Sequence, residues 1–373
     1  MNELKAFLDT SFYGSTCWNR FRVIHIVLGN HTCDLDTAIS AIAYGYLLYK
    51  KNGLENSNDQ VVFPVLNAER KNLSLLLEHQ YLLRKAGIDM GQLIYRSDIN
   101  FEEIIASSIH MGITVKTYLI NHHILCQNDS ILAHSICGIF DRRPISNLKL
   151  VVPTDFTLRI EPVGSCATVI AMEIYQTNQH IWNLELAGIV YGAILLHTKG
   201  LRQVKNKTTD QDMEIGLILH RSFNLEEPIS TYAILNDLRC RIPPDPYHML
   251  IRDLFCGDYV PIAFPRIHIS AGTYIKKRGA KESLNQLCSD KKVVLIVLIG
   301  TDPSSKNKDM GVFFDEIIQS HITNFSEKLR ENDILLRGTY YNYTVFDRKL
   351  TREHTVPIIM KVWKELNIIL PHH

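Results

Sequence analysis

The chain has 373 residues, of which 46% are hydrophobic and 21% are charged, and this length is enough for two average domains. Its 40 Lys and Arg residues and 39 Asp and Glu residues leave a formal net charge of +1. This balance argues against a nucleic-acid coat protein and a polybasic membrane binder, because both need an excess of basic charge.

The sequence also argues against a membrane or secreted protein. No apolar run approaches the roughly 20 residues of a membrane-spanning helix, and residues 1–10 lack the apolar stretch of a secretory signal. The eight Cys residues are scattered without a Cys-x-x-Cys pair, which favours reduced thiols over a disulfide framework or a zinc site. We therefore expect a cytoplasmic protein that binds neither membranes nor nucleic acid.

The first half of the chain alternates predicted strands and helices. Residues 21–28 form a β-branched apolar run that predicts a buried parallel strand, and residues 37–49 follow with a helical period. Further strands are predicted at residues 61–66, 114–120, 136–140 and 157–163, and further helices at 72–85 and 184–196. A helical pattern also follows residues 164–168 and runs through Glu173. Several of these elements stop at a polar group, which predicts an α/β domain whose mostly parallel sheet carries a ligand cleft at its strand ends.

A second domain is predicted after a cluster of prolines. Pro243, Pro244 and Pro246 interrupt any regular element, so we place the boundary there and expect domains at 1–242 and 247–373. The second domain has predicted helices at 279–289 and 311–330 and strands at 292–299, 333–336 and 340–346. This order predicts a smaller α+β domain.

The loop after the first predicted strand carries Asp34 and Asp36. Two carboxylates separated by one residue can each reach a divalent cation, and Mg²⁺ and Mn²⁺ prefer oxygen ligands. Asp is equally favoured as the cap of the helix that follows. Both interpretations stay open at this point.

Four ordered segments together suggest a family. They are Gly29–Ser40 with Asn30, Asp34 and Asp36; Asn121-His122-His123; Asp141-Arg142-Arg143; and Gly164-Ser165-Cys166-Ala167-Thr168. This set resembles the DHH phosphoesterase superfamily, and specifically its Prune/exopolyphosphatase branch. The resemblance implies a DHH domain followed by a DHH-associated domain that closes over the cleft. It also implies divalent-metal-dependent hydrolysis of phosphoanhydride bonds in short inorganic polyphosphate or pyrophosphate.

The resemblance implies two Mn²⁺ or Mg²⁺ ions, yet several ligand positions are substituted. Asn121 stands at the position of a bridging Asp, Arg142 at that of a His and His197 at that of an Asp. Four carboxylates balance two divalent ions, whereas two carboxylates and an Arg carry only a net charge of −1. We therefore expect no dinuclear centre and at most one ion. The candidate metal ligands are Asn30, Asp34, Asp36 and His197, and the candidate catalytic residues are Asp34, Asp36, Asn121, Asp141 and Arg142.

Phosphate recognition is predicted at four residues. Gly164 and Ser165 lie at a helix start whose amides can approach an anion, although ordinary helix capping explains them too. Arg70 and Arg352 match basic positions of the branch, with a solvated surface Arg as the alternative for Arg70. In the predicted second domain, Glu353 and His354 replace two Lys of the family clamp, which weakens its grip on a polyanion.

Two functional hypotheses follow from these substitutions. In the first, Arg142 pairs with Asp34 or Asp36, and the chain binds phosphate-rich ligands or protein partners with weak or no turnover. In the second, Asp34, Asp36 and His197 hold one metal ion in an active phosphohydrolase. We favour the first hypothesis.

Overall fold

A computed structural model describes residues 2–51, 53–54, 58–144, 156–204, 207–257, 260–301, 308–340, 342–347 and 352–368. It divides into two compact units, Met1–Arg239 and Cys240–His373. No helix in the described ranges has the length and apolar character needed to cross a membrane.

The first unit is built on a six-stranded sheet in the order β3-β2-β1-β4-β5-β6. All of its strand pairs are parallel. The strands are β1 (Val23–Gly29), β2 (Gln60–Leu66), β3 (Ile94–Tyr95), β4 (Thr114–Ile120), β5 (Ile136–Asp141) and β6 (Thr157–Ile160). The chain moves outward in one direction from β1 to β3 and in the other from β4 to β6. The carboxyl ends of β1 and β4 therefore form the switch point at which open α/β sheets bind ligands.

Helices cover both faces of this sheet. They are α1 (Glu3–Thr16), α2 (Leu35–Lys51), α3 (Leu77–Lys85), α4 (Phe101–Met111), α5 (Cys166–Asn178), α6 (Leu184–His197), α7 (Asp210–Ser222) and α8 (Pro228–Cys240). Alternate residues of β1 enter different cores, since Ile24 and Ile26 pack on one face while Val27 packs on the other. Helix α2 is buried from Leu35 through Leu48, which explains why its sequence is apolar on every side.

The second unit contains a mixed sheet in the order β11-β12-β10-β9-β8-β7. Its strands are β7 (Leu254–Cys256), β8 (Ile262–Ile267), β9 (Leu295–Thr301), β10 (Lys308–Phe314), β11 (Leu335–Tyr340) and β12 (Tyr343–Asp347). Its helices are α9 (Pro246–Ile251), α10 (Ala271–Ile275), α11 (Ala280–Lys291), α12 (Ile322–Glu331) and α13 (Arg352–Glu365). Only β8 and β9 pair in parallel, and the other ladders are antiparallel. The predicted fold class, a helix-flanked parallel sheet followed by an α+β unit, is confirmed.

One predicted element of the second unit is wrong. The sequence predicts a helix over 311–330, but residues 308–314 form the central strand β10 and the helix α12 begins only at Ile322. Because β10 is buried on both faces between β9 and β12, its apolar run lacks the alternation that identifies a strand. Gly311 is required there, since a Cβ atom would overlap the Tyr343 hydroxyl.

Candidate ligand site at the ends of the parallel strands

The fold brings most of the predicted site residues of the first unit to one edge of the parallel sheet. Asn30 follows β1, Asn121 follows β4, and Asp141 ends β5. Gly29 is in register with Ile120, and Ile120 with Phe140. These three polar residues therefore lie side by side at the switch point.

Asp34 caps α2 and also faces His197. Its Oδ1 accepts hydrogen bonds from Thr37 N at 2.9 Å and Thr37 Oγ1 at 2.7 Å, which is a helix cap. Its Oδ2 lies 3.5 Å from Nε2 of His197, the last residue of α6. The capping interpretation is therefore correct for Asp34, and one of its oxygens still faces the site.

The contact between Asp34 and His197 favours the charged form of both side chains. Desolvation acts against each charge, but the hydrogen bonds from His197 and Thr37 hold the pKa of Asp34 well below its ordinary value. Burial alone would lower the pKa of His197, yet the Asp36 and Asp34 carboxylates outweigh it and raise that pKa. His197 therefore tends to add a positive charge to the site.

Asp36 does not face the site, because its carboxylate binds the start of α5. Oδ1 accepts hydrogen bonds from Ser165 Oγ at 2.6 Å and Ala167 N at 2.9 Å, and Oδ2 accepts one from Cys166 N at 2.8 Å. The Asp36 side chain is completely buried. A helix N-terminus stabilises an anion through its unbonded amides and its dipole, and here the anion belongs to the chain itself.

A second buried carboxylate binds the same loop. Asp212 accepts hydrogen bonds from Gly164 N at 2.8 Å and Thr168 Oγ1 at 2.6 Å, and also from the amide and hydroxyl of Thr209, which caps α7. Gly164 is needed because a Cβ atom would overlap the Lys207 carbonyl. The donors of Gly164 and Ser165 that the sequence assigns to phosphate therefore bind Asp212 and Asp36, and a phosphate would have to displace these bonds.

Asn121 is completely buried and its amide is only half satisfied. Its Nδ2 donates to Thr37 Oγ1 at 2.8 Å, whereas its Oδ1 has no hydrogen-bond partner in the described part of the chain. The residue has φ of +61°, a left-handed conformation that Asn tolerates better than most residues. Asn30 donates to the Asn121 carbonyl at 3.2 Å, and the Oδ1 of Asn30 accepts from Thr32.

Asp141 organises the turn that carries two arginines. Its Oδ1 accepts the amides of Arg142 at 2.7 Å and Arg143 at 3.3 Å, and its Oδ2 lies 2.7 Å from His123 Nδ1. His123 is therefore a supporting residue that contacts Asp141.

The two arginines behave differently. Arg143 donates to the Asn121 carbonyl at 3.2 Å. The buried Nε of Arg142 has no acceptor among the described residues. The predicted ion pair from Arg142 to Asp34 or Asp36 is not formed, because Thr37 and His197 contact Asp34 while α5 binds Asp36.

Arg70 makes its contacts away from these residues. Its guanidinium binds Asp98 at 2.6 Å and the Gly91 and Leu93 carbonyls at 2.6 Å each, and it stacks 4.7 Å from the Tyr95 ring centroid. These contacts use its donors within the first unit. A phosphate-binding role for Arg70 would require them to open.

Arg352 belongs to the second unit, where it pairs with Asp253 at 2.8 Å. Arg266 binds the same carboxylate. These two cations outweigh the cost of burial and lower the pKa of Asp253 to about 2. The phosphate-binding role of Arg352 stays a prediction.

The donor set does not fit a two-metal centre. Among the described residues, no group of three or more His, Cys, Asp or Glu side chains is arranged to hold a metal ion. Asp36 is tied to α5, Asn30 Oδ1 is bonded to Thr32, and Asn121 offers a neutral oxygen. Asp34 Oδ2 and His197 Nε2 remain as a pair, one short of the three protein ligands of a typical catalytic zinc site.

Two residues that shape the site were not chosen from the sequence. Thr37 links Asp34 to Asn121, and Asp212 holds Gly164. Both were detectable, because Thr37 lies three residues after an Asp cap and Thr209-x-x-Asp212 has the spacing of a capping box.

Comparisons with known proteins agree with this fold. No family model matches the chain. It is 33% identical over 191 residues to exopolyphosphatase PRUNE1 of Bos taurus and 32% identical over 191 residues to the Homo sapiens protein of the same name. Each alignment covers 51% of this chain and 40% of the relative, so the chain matches less than half of their length.

A solved structure matches over almost the whole chain. It is the crystal structure of a Methanococcus jannaschii protein assigned as a family II inorganic pyrophosphatase, with a TM-score of 0.57 and 16% identity. The match covers 92% of this chain and 99% of that one, and at this identity it supports the fold alone. With the ordered motifs, the strand order and the curated relatives taken together, this chain is similar to the Prune-like proteins of the DHH phosphoesterase superfamily.

Proposed function

We propose that this chain binds short inorganic polyphosphate or pyrophosphate with weak or no hydrolysis. The observation that carries the proposal is the capture of Asp36, a candidate metal ligand, by three hydrogen bonds from the start of α5. Without that carboxylate, the strand ends present a neutral Asn121 and a cationic Arg142, and His197 at the end of α6 has a raised pKa.

The cations support anion binding. Arg142 and Arg143 lie on one turn, and Arg142 has a buried donor with no acceptor among the described residues. A guanidinium is well suited to phosphate oxygens. The names of the curated relatives, exopolyphosphatases, agree with a phosphoanhydride ligand.

Weak turnover follows from the same substitutions. Hydrolysis by a two-metal site needs a water activated between two cations. Asn121 cannot carry the negative charge of a bridging ligand, and Arg142 cannot lose its proton to become one. We propose at most one bound Mn²⁺ or Mg²⁺ ion.

A one-metal phosphohydrolase is the second candidate function. The observation that favours it is the approach of Asp34 Oδ2 to His197 Nε2 at 3.5 Å, since a carboxylate and an imidazole are both ligands of Mn²⁺ and Zn²⁺. Asp36 would have to leave α5 to complete the predicted set.

Protein partners are a further class of ligand in the proposal. Ile124 directly follows the supporting residue His123, and 68% of its surface is exposed. An exposed apolar side chain beside the site would suit a protein contact better than a polyphosphate.

Two measurements on one preparation test the proposal. Calorimetric titration with tripolyphosphate measures binding, and phosphate release in excess Mn²⁺ measures turnover. We expect binding, together with a release rate that is the same in wild type and in the Asp34→Asn/Asp36→Asn variant. The single variant Asp34→Asn is the matched control, because it keeps the bonds between Asp36 and α5.

Either of two results would contradict the proposal. Release that disappears in Asp34→Asn as well as in the double variant would establish a hydrolase. Absence of tripolyphosphate binding would exclude the binding role.

A further inference from the structure

Two buried polar atoms at neighbouring strand ends have no partner in the described structure, and they are complementary. Asn121 Oδ1 is an acceptor and Arg142 Nε is a donor. The Asn121 amide donates to the Phe140 carbonyl at 2.8 Å, so Arg142 lies only two residues along the adjacent strand end. Leaving both atoms unsatisfied is costly, so we expect a ligand or water to contact them.

Thr37 fixes which end of the Asn121 amide faces the site. The single hydroxyl proton of Thr37 is donated to Asp34 Oδ1 at 2.7 Å, since a carboxylate oxygen can only accept. Thr37 Oγ1 therefore has only lone pairs to offer to Asn121, and Nδ2 donates to it at 2.8 Å. The Oδ1 atom is consequently turned away from Thr37, and Thr37 acts as a positioning residue for this acceptor.

The ligand must then donate to one atom and accept from the other. A phosphate group that carries a proton does both, since its P–OH donates while an unprotonated oxygen accepts. We propose that the terminal phosphate is bound in a protonated form, with P–OH donating to Asn121 Oδ1 and a P–O⁻ oxygen accepting from Arg142 Nε. This inference rests on the proposed function and specifies the protonation state of its ligand.

The proposal predicts discrimination between two anions of similar shape. Inorganic phosphate carries at least one P–OH at pH 7, whereas sulfate carries no proton. A sulfate oxygen would place lone pairs against Asn121 Oδ1, because sulfate has no proton to donate to it. We expect phosphate to bind at least about tenfold more tightly than sulfate.

The experiment is a calorimetric titration of the full chain with pyrophosphate, phosphate and sulfate at pH 7 and constant ionic strength. Asn121→Leu removes the acceptor and keeps the shape of the side chain. Thr37→Val keeps Asn121 but releases its amide to rotate and present Nδ2. Thr117→Val is the control. It also removes a buried threonine hydroxyl, but this hydroxyl lies in β4 and bonds Ser135 at 2.7 Å instead of Asn121.

We expect wild type and Thr117→Val to prefer phosphate, and Asn121→Leu and Thr37→Val to lose most of that preference. Equal binding of phosphate and sulfate by wild type would overturn the inference. This result is expected if a water molecule, and not the anion, contacts both Asn121 Oδ1 and Arg142 Nε. So would a preference that persists in Asn121→Leu. If Asn121→Leu does not fold, wild type and Thr37→Val decide the result.

The inference and the proposed function fail separately. Pyrophosphate binding without discrimination between phosphate and sulfate would overturn the inference and leave the proposed function in place. If none of the three anions binds, both are overturned.

Discussion

The start of α5 and the turn after β5 lie in the same parallel-sheet unit but differ in how their polar groups are satisfied. At the start of α5, Asp36 and Asp212 accept hydrogen bonds from the loop and helix donors. Among the described residues, Arg142 Nε at the turn after β5 has no acceptor, and Asn121 Oδ1 at the neighbouring strand end has no donor. The difference supports the proposal that the helix start has a structural role and that the turn binds the ligand.

The second unit contains a contact of the same kind. Asp309 is buried, and its carboxylate accepts hydrogen bonds from Ala271 N at 2.6 Å and Gly272 N at 3.1 Å, at the start of α10. A buried carboxylate therefore binds the amides at the start of a helix in both units. This recurrence supports a structural role for Asp36.

The largest expected effect is that of Asp36→Asn. The amide would replace one acceptor oxygen by a donor that faces other donors, so we expect the free energy of unfolding to fall by about 3 kcal/mol. Urea unfolding in a Trp363→Phe background measures the first unit, since the remaining tryptophans are Trp18 and Trp182. Asp34→Asn is the control, for which we expect a smaller loss of unfolding free energy. Equal losses from the two variants would contradict the structural role of Asp36.

Gly164→Ala tests how closely the loop before α5 packs against its neighbours. A Cβ atom at Gly164 would overlap the Lys207 carbonyl, so we expect a loss of about 2 kcal/mol. Gly188→Ala is the matched control, because no atom lies within 4 Å of its added Cβ and the site is inside α6. Removing a helical glycine there should stabilise the unit by about 0.5 kcal/mol. Similar urea midpoints for the two variants would show that the loop can move.

Arg142→Met tests the open turn. Because the buried Arg142 Nε has no hydrogen-bond partner among the described residues, we expect unchanged stability and about tenfold weaker pyrophosphate binding in calorimetry. Arg70→Met should lower the stability and leave pyrophosphate binding unchanged, since the Arg70 guanidinium binds Asp98 and the Gly91 and Leu93 carbonyls. Unchanged pyrophosphate affinity in Arg142→Met would exclude Arg142 as a ligand-binding residue.

The smallest expected effect is a pH dependence that comes from His197. Its raised pKa means that the folded state binds the proton more tightly than the unfolded state. This stabilisation is complete below the ordinary His pKa and is lost as the pH rises through the raised value. The difference in unfolding free energy between wild type and His197→Gln should therefore be larger at pH 5.5 than at pH 9. In an Asp34→Asn background this pH dependence should shrink, and an unchanged dependence would rule out Asp34 as a cause.

Much of the fold was predictable from local sequence, because strand ends and helix periods are local properties. The strands that precede Asn30, Asn121 and Asp141 were all identified, and parallel pairing brings their ends together. The helix predicted over 311–330 was wrong because a strand buried on both faces has no alternating pattern.

The orientation of side chains within the site was not predictable in the same way. The bonds from Asp36 to α5 join residues 129 to 131 positions apart, and no local pattern encodes such a contact. The missing ion pair of Arg142 has the same origin, since Asp36 is already bound elsewhere. A motif identifies which side chains reach a sheet edge, whereas competition among all the donors there decides what each one binds.

The number of Mn²⁺ ions bound per chain tests the central claim most directly. Elemental analysis after equilibrium dialysis of the wild-type chain counts them without reference to activity. Because Asp36 is tied to α5 and Asn121 is neutral, we predict at most one ion per chain. Two tightly bound Mn²⁺ ions per chain would contradict the proposal that these substitutions have removed the two-metal centre.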